Sequence, residues 1–280
     1  MNLFITLTSA ESKRLIARAT ARMPMVTERL GEGRKLLISQ GSTAGYVLEE
    51  ILGEKLDLKK TPCGCIAYGR TCRTPADRLG AVLLAGGERV VWPEKEKRRL
   101  AEEAAASLGR EDLLIKGANA IDPAGFAGFL LGDAAGGLLM AFWRSHTVRK
   151  CPILIPVGLE KLIASVPEAE RAMRGRDGYE RSIGRGCGYA VVGDGVIVTE
   201  IEAIRLLSGC RATHVASGGI GLSAGSVVLS VEGEETRLDE LFRLLKTIKG
   251  EPPLQEWKMD CTGCEKHCGL PMSTNSGIIG

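Results

Sequence analysis

The chain has 280 residues, of which 44% are hydrophobic and 25% are charged, and its formal net charge is +3. This length corresponds to one large domain or two ordinary ones, and the composition is that of a globular protein with a real core. The charge is too small to indicate nucleic acid or an anionic membrane as a partner, although a small anionic ligand is compatible with it.

Two segments bear on the compartment. The N-terminal stretch MNLFITLTSAESKRLIARA lacks the charged start and apolar core of a secretory signal. Residues 124–142, AGFAGFLLGDAAGGLLMAF, are apolar enough to suggest a membrane span, but five glycines and Asp133 interrupt them. Because glycine disfavours a helix and a mid-membrane charge is costly, we predict two buried strands joined by a glycine turn. We therefore expect a cytoplasmic protein that does not enter the membrane.

In chain order, helical and strand patterns alternate through the first 185 residues. Residues 10–30 have apolar positions at helical spacing, broken near Pro24, and are followed by a strand at 34–40 and a helix at 44–52. Residues 61–78 have no periodicity and are predicted to be a long loop. Two short apolar runs, a surface helix at 94–108, and further strands in DLLIKGANAID and CPILIPVG follow. This alternation predicts an α/β fold with a mostly parallel sheet and helices on both faces.

The pattern changes after residue 185. The segments GVIVTEIEAIRLLSG, RATHVAS, GSVVLSVEG and TRLDELFRLLKTIKG predict strand–helix, strand, strand, helix, the order of a small α+β domain of the ferredoxin-like type. The predicted organisation is an α/β anion-binding domain at 1–185, a small α+β domain at 186–252, and a Cys-rich metal-binding tail at 253–280.

Residues 36–53, LLISQGSTAGYVLEEILG, end a buried strand in Gly41-Ser42-Thr43 and start a helix at once. Free N–H groups at a helix N-terminus bind anions, and glycine lets a phosphate approach the backbone closely. The alternative is a plain connection in which Ser42 or Thr43 caps the helix. We regard these two interpretations as equally supported by this loop alone.

Two further strand ends carry small or polar residues. In IKGANAID, Lys116 would neutralise an anion, Asp122 would move a proton, and Gly117 and Asn119 would contact the ligand. The alternative is a solvated lysine and an aspartate that caps a turn. In LLGDAAGGLL, Gly136 and Gly137 form a third glycine-bearing loop. Because ligands in such sheets bind at the carboxyl ends of strands, we expect the three loops to line one cleft.

In this order, the three motifs resemble those of the superfamily that contains ribose-5-phosphate isomerase, glucosamine-6-phosphate deaminase and CoA-transferases. The Gly-Ala-Asn-Ala stretch resembles its lactate-utilisation branch. The resemblance covers about residues 30–165, and it implies this fold with a cleft for an anionic small molecule. Asn119 stands where the isomerases of the superfamily have a catalytic aspartate.

Nine cysteines include a group near the C-terminal end, MDCTGCEKHCGLPM. Cys261, Cys264 and Cys268 have the spacing C-x2-C-x3-C, with His267 inside it, which suits a metal site. We predict an iron–sulfur cluster, with zinc as the alternative, and free thiols or a redox disulfide as the non-metal interpretation. The fourth position would be filled by His267, by a bound substrate, or by one of a set elsewhere in the chain: Cys63, Cys65, Cys72 and Cys187.

Together these features predict a cytosolic protein that binds a phosphorylated, carboxylated or CoA-like metabolite and has a metal site in its tail. Isomerase, transferase or lyase chemistry fits this description. The alternative is a non-catalytic ligand sensor or redox accessory protein of the same fold. A homo-oligomer is compatible with the sequence, which does not decide the oligomeric state. His146, in the basic segment WRSHTVRK, is expected at the cleft rim or in solvent.

Overall fold

The computed structural model describes residues 1–67, 69–74 and 77–255, which form a mixed α/β fold. Within these ranges the α-helices are α1 (Ser9–Ala21), α2 (Pro24–Thr27), α3 (Ser42–Leu52), α4 (Lys97–Ser107), α5 (Gly137–Thr147), α6 (Val166–Ala172), α7 (Glu200–Ser208) and α8 (Glu235–Lys246). The strands are β1 (Asn2–Leu7), β2 (Lys35–Ile38), β3 (Gly64–Ala67), β4 (Arg70–Arg73), β5 (Val82–Ala85), β6 (Glu88–Arg89), β7 (Leu113–Ile115), β8 (Ala120–Ile121), β9 (Ala127–Leu131), β10 (Ile153–Pro156), β11 (Gly188–Val192), β12 (Val196–Val198), β13 (Arg211–Gly218) and β14 (Ser226–Glu232).

The largest sheet has six strands in the order β12-β10-β7-β2-β5-β6. The neighbours from β12 to β2 run parallel, whereas β5 and β6 add to the edge antiparallel. The sheet is therefore mixed, and the α/β class predicted from the alternating pattern is confirmed.

The middle strands are buried on both faces. Leu36, Leu37 and Ile38 of β2 are all buried, as are the three residues of β7 and the four of β10. Since successive side chains of a strand point to opposite faces, both sides of the sheet must be covered. Helix α1 packs against α3 and α7, while α4 packs against α5.

The described part of the chain also forms three smaller sheets, with strand orders β1-β14-β13, β11-β9-β8 and β3-β4. The elements β12, α7, β13, β14 and α8 follow the order predicted for residues after 185. Several strands after residue 185 pair with strands earlier in the chain: β11 pairs with β9, β12 pairs with β10, and β14 pairs with β1.

The predicted long loop at 61–78 was wrong in part, because it contains the antiparallel hairpin β3–β4. Each strand has only four residues, too few to show a period in the sequence. Thr71 joins this hairpin to the segment before β11: the Thr71 hydroxyl donates to Arg185 O (2.7 Å), and Arg185 N donates to Thr71 O (2.8 Å).

The prediction of two strands in residues 124–142 was also wrong in its second half. Strand β9 is present, but helix α5 follows it instead of a second strand. Gly136 precedes this helix in the left-handed conformation (φ 74°), so the glycine pair starts the helix and does not interrupt it. No helix in the described residues is long and apolar enough to cross a membrane.

Candidate anion-binding site

Three parallel neighbours of the main sheet, β2, β7 and β10, end at the same edge. Each strand continues into a short segment: residues 39–43 after β2, 116–119 after β7, and 157–161 after β10. The first two segments are joined where they leave the sheet, because Ser39 N donates to Ile115 O (2.9 Å). This edge is where open α/β sheets bind ligands.

Helix α3 begins directly at this edge. Its N-cap is Gly41, which makes no side-chain capping bond, and among the described residues Thr43 Oγ1 does not cap the helix either. Thr43 is buried, with 2% of its surface exposed, and its Oγ1 has no hydrogen-bond partner among the described residues. The helix N-terminus therefore keeps a buried hydroxyl that the described part of the protein does not use.

The second segment lies against the first. A methyl group placed on Gly117 would be 3.9 Å from Thr43 Cβ and 3.4 Å from Pro156 O, so the segments after β2, β7 and β10 meet around this glycine. Asn119 is exposed and is fixed to β9, since its Oδ1 accepts a hydrogen bond from Leu130 N (2.9 Å).

Lys116 is the charged group nearest to this junction in the sequence. Its side chain is half-buried, and its Nζ lies 5.7 Å from the centroid of the Phe129 ring. No carboxylate in the described ranges forms an ion pair with it. Burial lowers the pKa of Lys116, the nearby Cys63 thiol opposes this effect, and the charge of Lys161 adds to it.

Lys161 is a second cation at the same edge, and the sequence analysis did not single it out. Its Nζ donates a 2.9 Å hydrogen bond to Ala118 O. Burial lowers the pKa of Lys161, the charge of Glu160 opposes this shift, and the charge of Lys13 adds to it. The sequence signal that could have identified Lys161 was its position just after a buried strand, which is also the position of Lys116.

Behind Lys161 lies a buried carboxyl, Glu200, at the start of α7. It is 0% exposed, and its Oε2 accepts a hydrogen bond from Leu159 N (2.9 Å). Burial, followed by the charge of Glu160, raises the pKa of Glu200 to about 7. Glu160 in turn lies 3.6 Å from Lys13 Nζ. The edge of the sheet thus has a carboxyl that exchanges a proton near neutral pH.

The carboxylate of Asp122, the residue predicted to move a proton, accepts hydrogen bonds from backbone N–H groups. Its Oδ1 accepts hydrogen bonds from Ala124 N and Phe126 N (3.0 Å each), and its Oδ2 accepts one from Val166 N (2.8 Å). In this arrangement the carboxylate holds the turn before β9 and the start of α6.

The third predicted loop lines a pocket of about 370 Å³ that includes Gly136, Asp133, Met140 and Arg176. Asp133 is paired with Arg98 (3.0 Å). Gly137, the other predicted contact, is the first residue of α5. The other described lining residues are Leu131, Ala134 and Ala135 from the same loop, Asp177 beside Arg176, and Gly188 at the start of β11.

The predicted metal ligands Cys261, Cys264, Cys268 and His267 lie outside the described residues. Among the described ones, no group of three or more His, Cys, Asp or Glu side chains is placed to hold a metal ion. The proposed fourth ligands lie in or near one hairpin: Cys63 is exposed, Cys65 and Cys72 are cross-strand partners, and half-buried Cys187 follows the segment that contacts Thr71.

His146 is not where the sequence analysis expected it. It is buried in α5, stacks on Phe142 at 5.7 Å, and has its Nε2 2.8 Å from Asp194 Oδ1. Its Nδ1 lies 3.0 Å from Cys151 O. The side chain therefore ties α5 to the turn between β11 and β12, and the prediction of a rim or solvated position was wrong.

No family model matches this sequence, and neither a curated protein nor a solved structure matches the chain. The resemblance to the isomerase and CoA-transferase superfamily therefore depends on the three short motifs alone.

Proposed function

We propose that the protein binds a small anionic metabolite, phosphorylated, carboxylated or CoA-like, at the carboxyl ends of β2, β7 and β10. The N-terminus of α3 and Lys116 would hold the anionic group between them. One observation carries this proposal: Lys116 is a half-buried cation without a carboxylate partner in the described ranges, on a segment that packs against Thr43.

The physical reason is that a buried positive charge and a buried hydroxyl both need a partner. Leaving such groups unpaired costs free energy that an anionic ligand would recover by accepting their hydrogen bonds. The backbone N–H groups at the start of an 11-residue helix would add to this attraction. An anion placed here would also oppose the burial effect on Lys116 and raise its pKa.

Enzymatic turnover is supported by two titratable groups beside the site whose pKa values are shifted by burial. Glu200, with its pKa raised to about 7, and Lys161 are candidates for proton transfer in an isomerase, transferase or lyase reaction. The alternative is a ligand sensor of the same fold. The three backbone hydrogen bonds to Asp122 favour the sensor, because they leave the predicted proton carrier with a structural role.

The experiment that tests the proposal is titration calorimetry with inorganic phosphate, lactate and coenzyme A. At least one should bind, and Lys116→Gln should weaken that binding by about tenfold or more, since a charge-assisted hydrogen bond contributes about 1.5–3 kcal/mol. Lys95→Gln, at an exposed position, is the matched control and should leave the affinity unchanged. Binding of none of the three anions, or equal binding by Lys116→Gln, would contradict the proposal.

We also propose two features that the sequence predicts: a ferredoxin-like unit at 186–252 and a metal-binding tail. The spacing of Cys261, Cys264 and Cys268 supports an iron–sulfur cluster, with zinc as the alternative. Protein purified without oxygen should be brown and contain iron and sulfide. Colourless protein with bound zinc would favour the alternative, and protein free of both metals would overturn the metal site.

A further inference from the structure

Lys116 has the features of a reactive amine as well as those of a cation that binds an anionic group. We propose that its Nζ forms an imine with an aldehyde or 2-oxo group of the anionic metabolite bound at the strand ends. This inference rests on the proposed function, and it narrows the ligand to carbonyl compounds that also have a phosphate or carboxylate group.

The surroundings of Lys116 differ from those of the other lysines at this end of the molecule. Lys161 donates to Ala118 O, Lys13 faces Glu160 at 3.6 Å, and Lys249 pairs with Glu11 at 2.7 Å. The Lys116 amine lies over the face of the Phe129 ring, near the Cys63 thiol and Lys161. Within residues 1–67, 69–74 and 77–255, no hydrogen bond or ion pair holds this amine that a carbonyl compound would have to displace.

A second cation beside a half-buried lysine favours the neutral amine, which is the nucleophilic form. Burial lowers the pKa of Lys116, and the charge of Lys161 adds to this effect against the opposing effect of the Cys63 thiol. Lysines activated in this way, by desolvation and a neighbouring cation, form Schiff bases with carbonyl substrates in other enzymes. The Lys161 side chain is kept in place for this effect by its hydrogen bond to Ala118 O.

The reaction balances without an oxidant or reductant. The Lys116 ammonium first loses a proton to water, and the neutral nitrogen then forms a bond to the carbonyl carbon while the carbonyl oxygen takes up a proton. The resulting carbinolamine loses its hydroxyl group as water, and the C=N bond forms. The net change is amine plus carbonyl giving imine plus water, and the helix N-terminus would hold the phosphate or carboxylate during these steps.

The test is reductive trapping with pyridoxal phosphate, a carbonyl compound with a phosphate group. The full-length protein is incubated with the probe and cyanoborohydride at neutral pH, and the modified lysines are mapped by peptide mass spectrometry. We expect Lys116 to be modified at least about tenfold faster than exposed Lys95, because the anion site would hold the phosphate of the probe beside the Lys116 amine. Pyridoxal without the phosphate should modify Lys116 much less.

Two variants separate reactivity from binding. Lys116→Arg keeps the charge and should lose the adduct while still binding inorganic phosphate, and Lys95→Arg should keep the Lys116 adduct. If Lys116 of the unaltered protein is modified no faster than Lys95 while inorganic phosphate binds, the imine is refuted and the anion site stands. If the protein neither forms the adduct nor binds phosphate, lactate or coenzyme A, the proposed function fails together with the imine.

Discussion

Lys161 Nζ donates a hydrogen bond of 2.9 Å to Ala118 O, joining the segment after β10 to the segment after β7. The bond places a second positive charge beside Lys116, which is the amine that we expect to meet the ligand. The two cations lie on neighbouring parallel strand ends, so the register of the sheet fixes their relation.

Removal of the Lys161 charge should make Lys116 a stronger base. In Lys161→Met we expect the pKa of Lys116 to rise, because one of the two causes that lower it is gone. The midpoint of the pH profile for Lys116 modification by pyridoxal phosphate should therefore move to higher pH. Lys95→Met is the control, and an unchanged profile in Lys161→Met would show that the two charges do not interact.

Thr43→Val should weaken ligand binding and raise the free energy of unfolding. Valine has nearly the same shape and removes a buried hydroxyl that lacks a partner in the described ranges, so the free energy of unfolding should rise by about 1 kcal/mol. Loss of the hydroxyl should weaken phosphate binding by about tenfold, the equivalent of one hydrogen bond. Denaturant unfolding and calorimetry measure the two quantities.

Thr20→Val provides the matched control for that experiment. Thr20 is 0% exposed in α1, and its Oγ1 likewise has no hydrogen-bond partner in the described part of the chain. Its replacement should also stabilise the protein but leave phosphate affinity unchanged. Equal affinities of the Thr43→Val and Thr20→Val variants would remove Thr43 from the site.

Glu200 should make stability fall as the pH rises toward neutrality. Its pKa is about 7 in the folded protein and 4.5 as a free side chain, so between these pH values the folded state binds more protons than the unfolded state. The free energy of unfolding should decline by up to about 3 kcal/mol across this interval, at about 1.4 kcal/mol per pH unit, and then level off. Denaturant unfolding at a series of pH values measures this slope.

Glu200→Gln should abolish that slope, because an amide at this position keeps an oxygen for Leu159 N and does not titrate. Above pH 7 the variant should be more stable than the unaltered protein. Glu240→Gln, at an exposed position of α8, should retain the slope. A slope that survives in Glu200→Gln would assign the effect to another group.

Arg14 should be the ion-pairing residue whose loss costs most. Its side chain is 3% exposed and pairs with Glu49, Glu50 and Glu251, which connects α1 to α3 and to the chain after α8. Arg14→Met would take the buried guanidinium away from these carboxylates, although Glu49 would keep its ion pair with Lys55 and Glu50 its ion pair with Arg18. We expect the free energy of unfolding to fall by about 3 kcal/mol. Arg99→Met, which breaks exposed pairs in and beside α4, should have a far smaller effect, and comparable losses would contradict this account.

The sequence located the first two loops because local patterns mark them. The apolar runs of β2 and β7 stop abruptly at small or polar residues, so Thr43 and Lys116 could be placed at strand ends without coordinates. That Gly117 lies against Thr43 follows from the parallel pairing of β2 and β7, which the alternation of strands and helices implied.

Glu200 and its proximity to Lys161 could not be found in this way. The two residues are distant in the chain. They meet because β10 pairs in parallel with β12, and Glu200 is the first residue of α7, the helix that follows β12. In the sequence, Glu200 resembles an ordinary acidic residue in the first turn of a helix. Its burial, and hence its raised pKa, depends on the packing of α7 against α1.

The central claim is that two neighbouring strand ends form a single anion site, and the location of a bound anion tests it most directly. Crystals of the protein soaked in selenate would show the ion by anomalous scattering. The account predicts a selenium peak within hydrogen-bond distance of both Thr43 Oγ1 and Lys116 Nζ. A peak only in the pocket beside Gly136 and Arg176, or no peak at the α3 N-terminus, would contradict it.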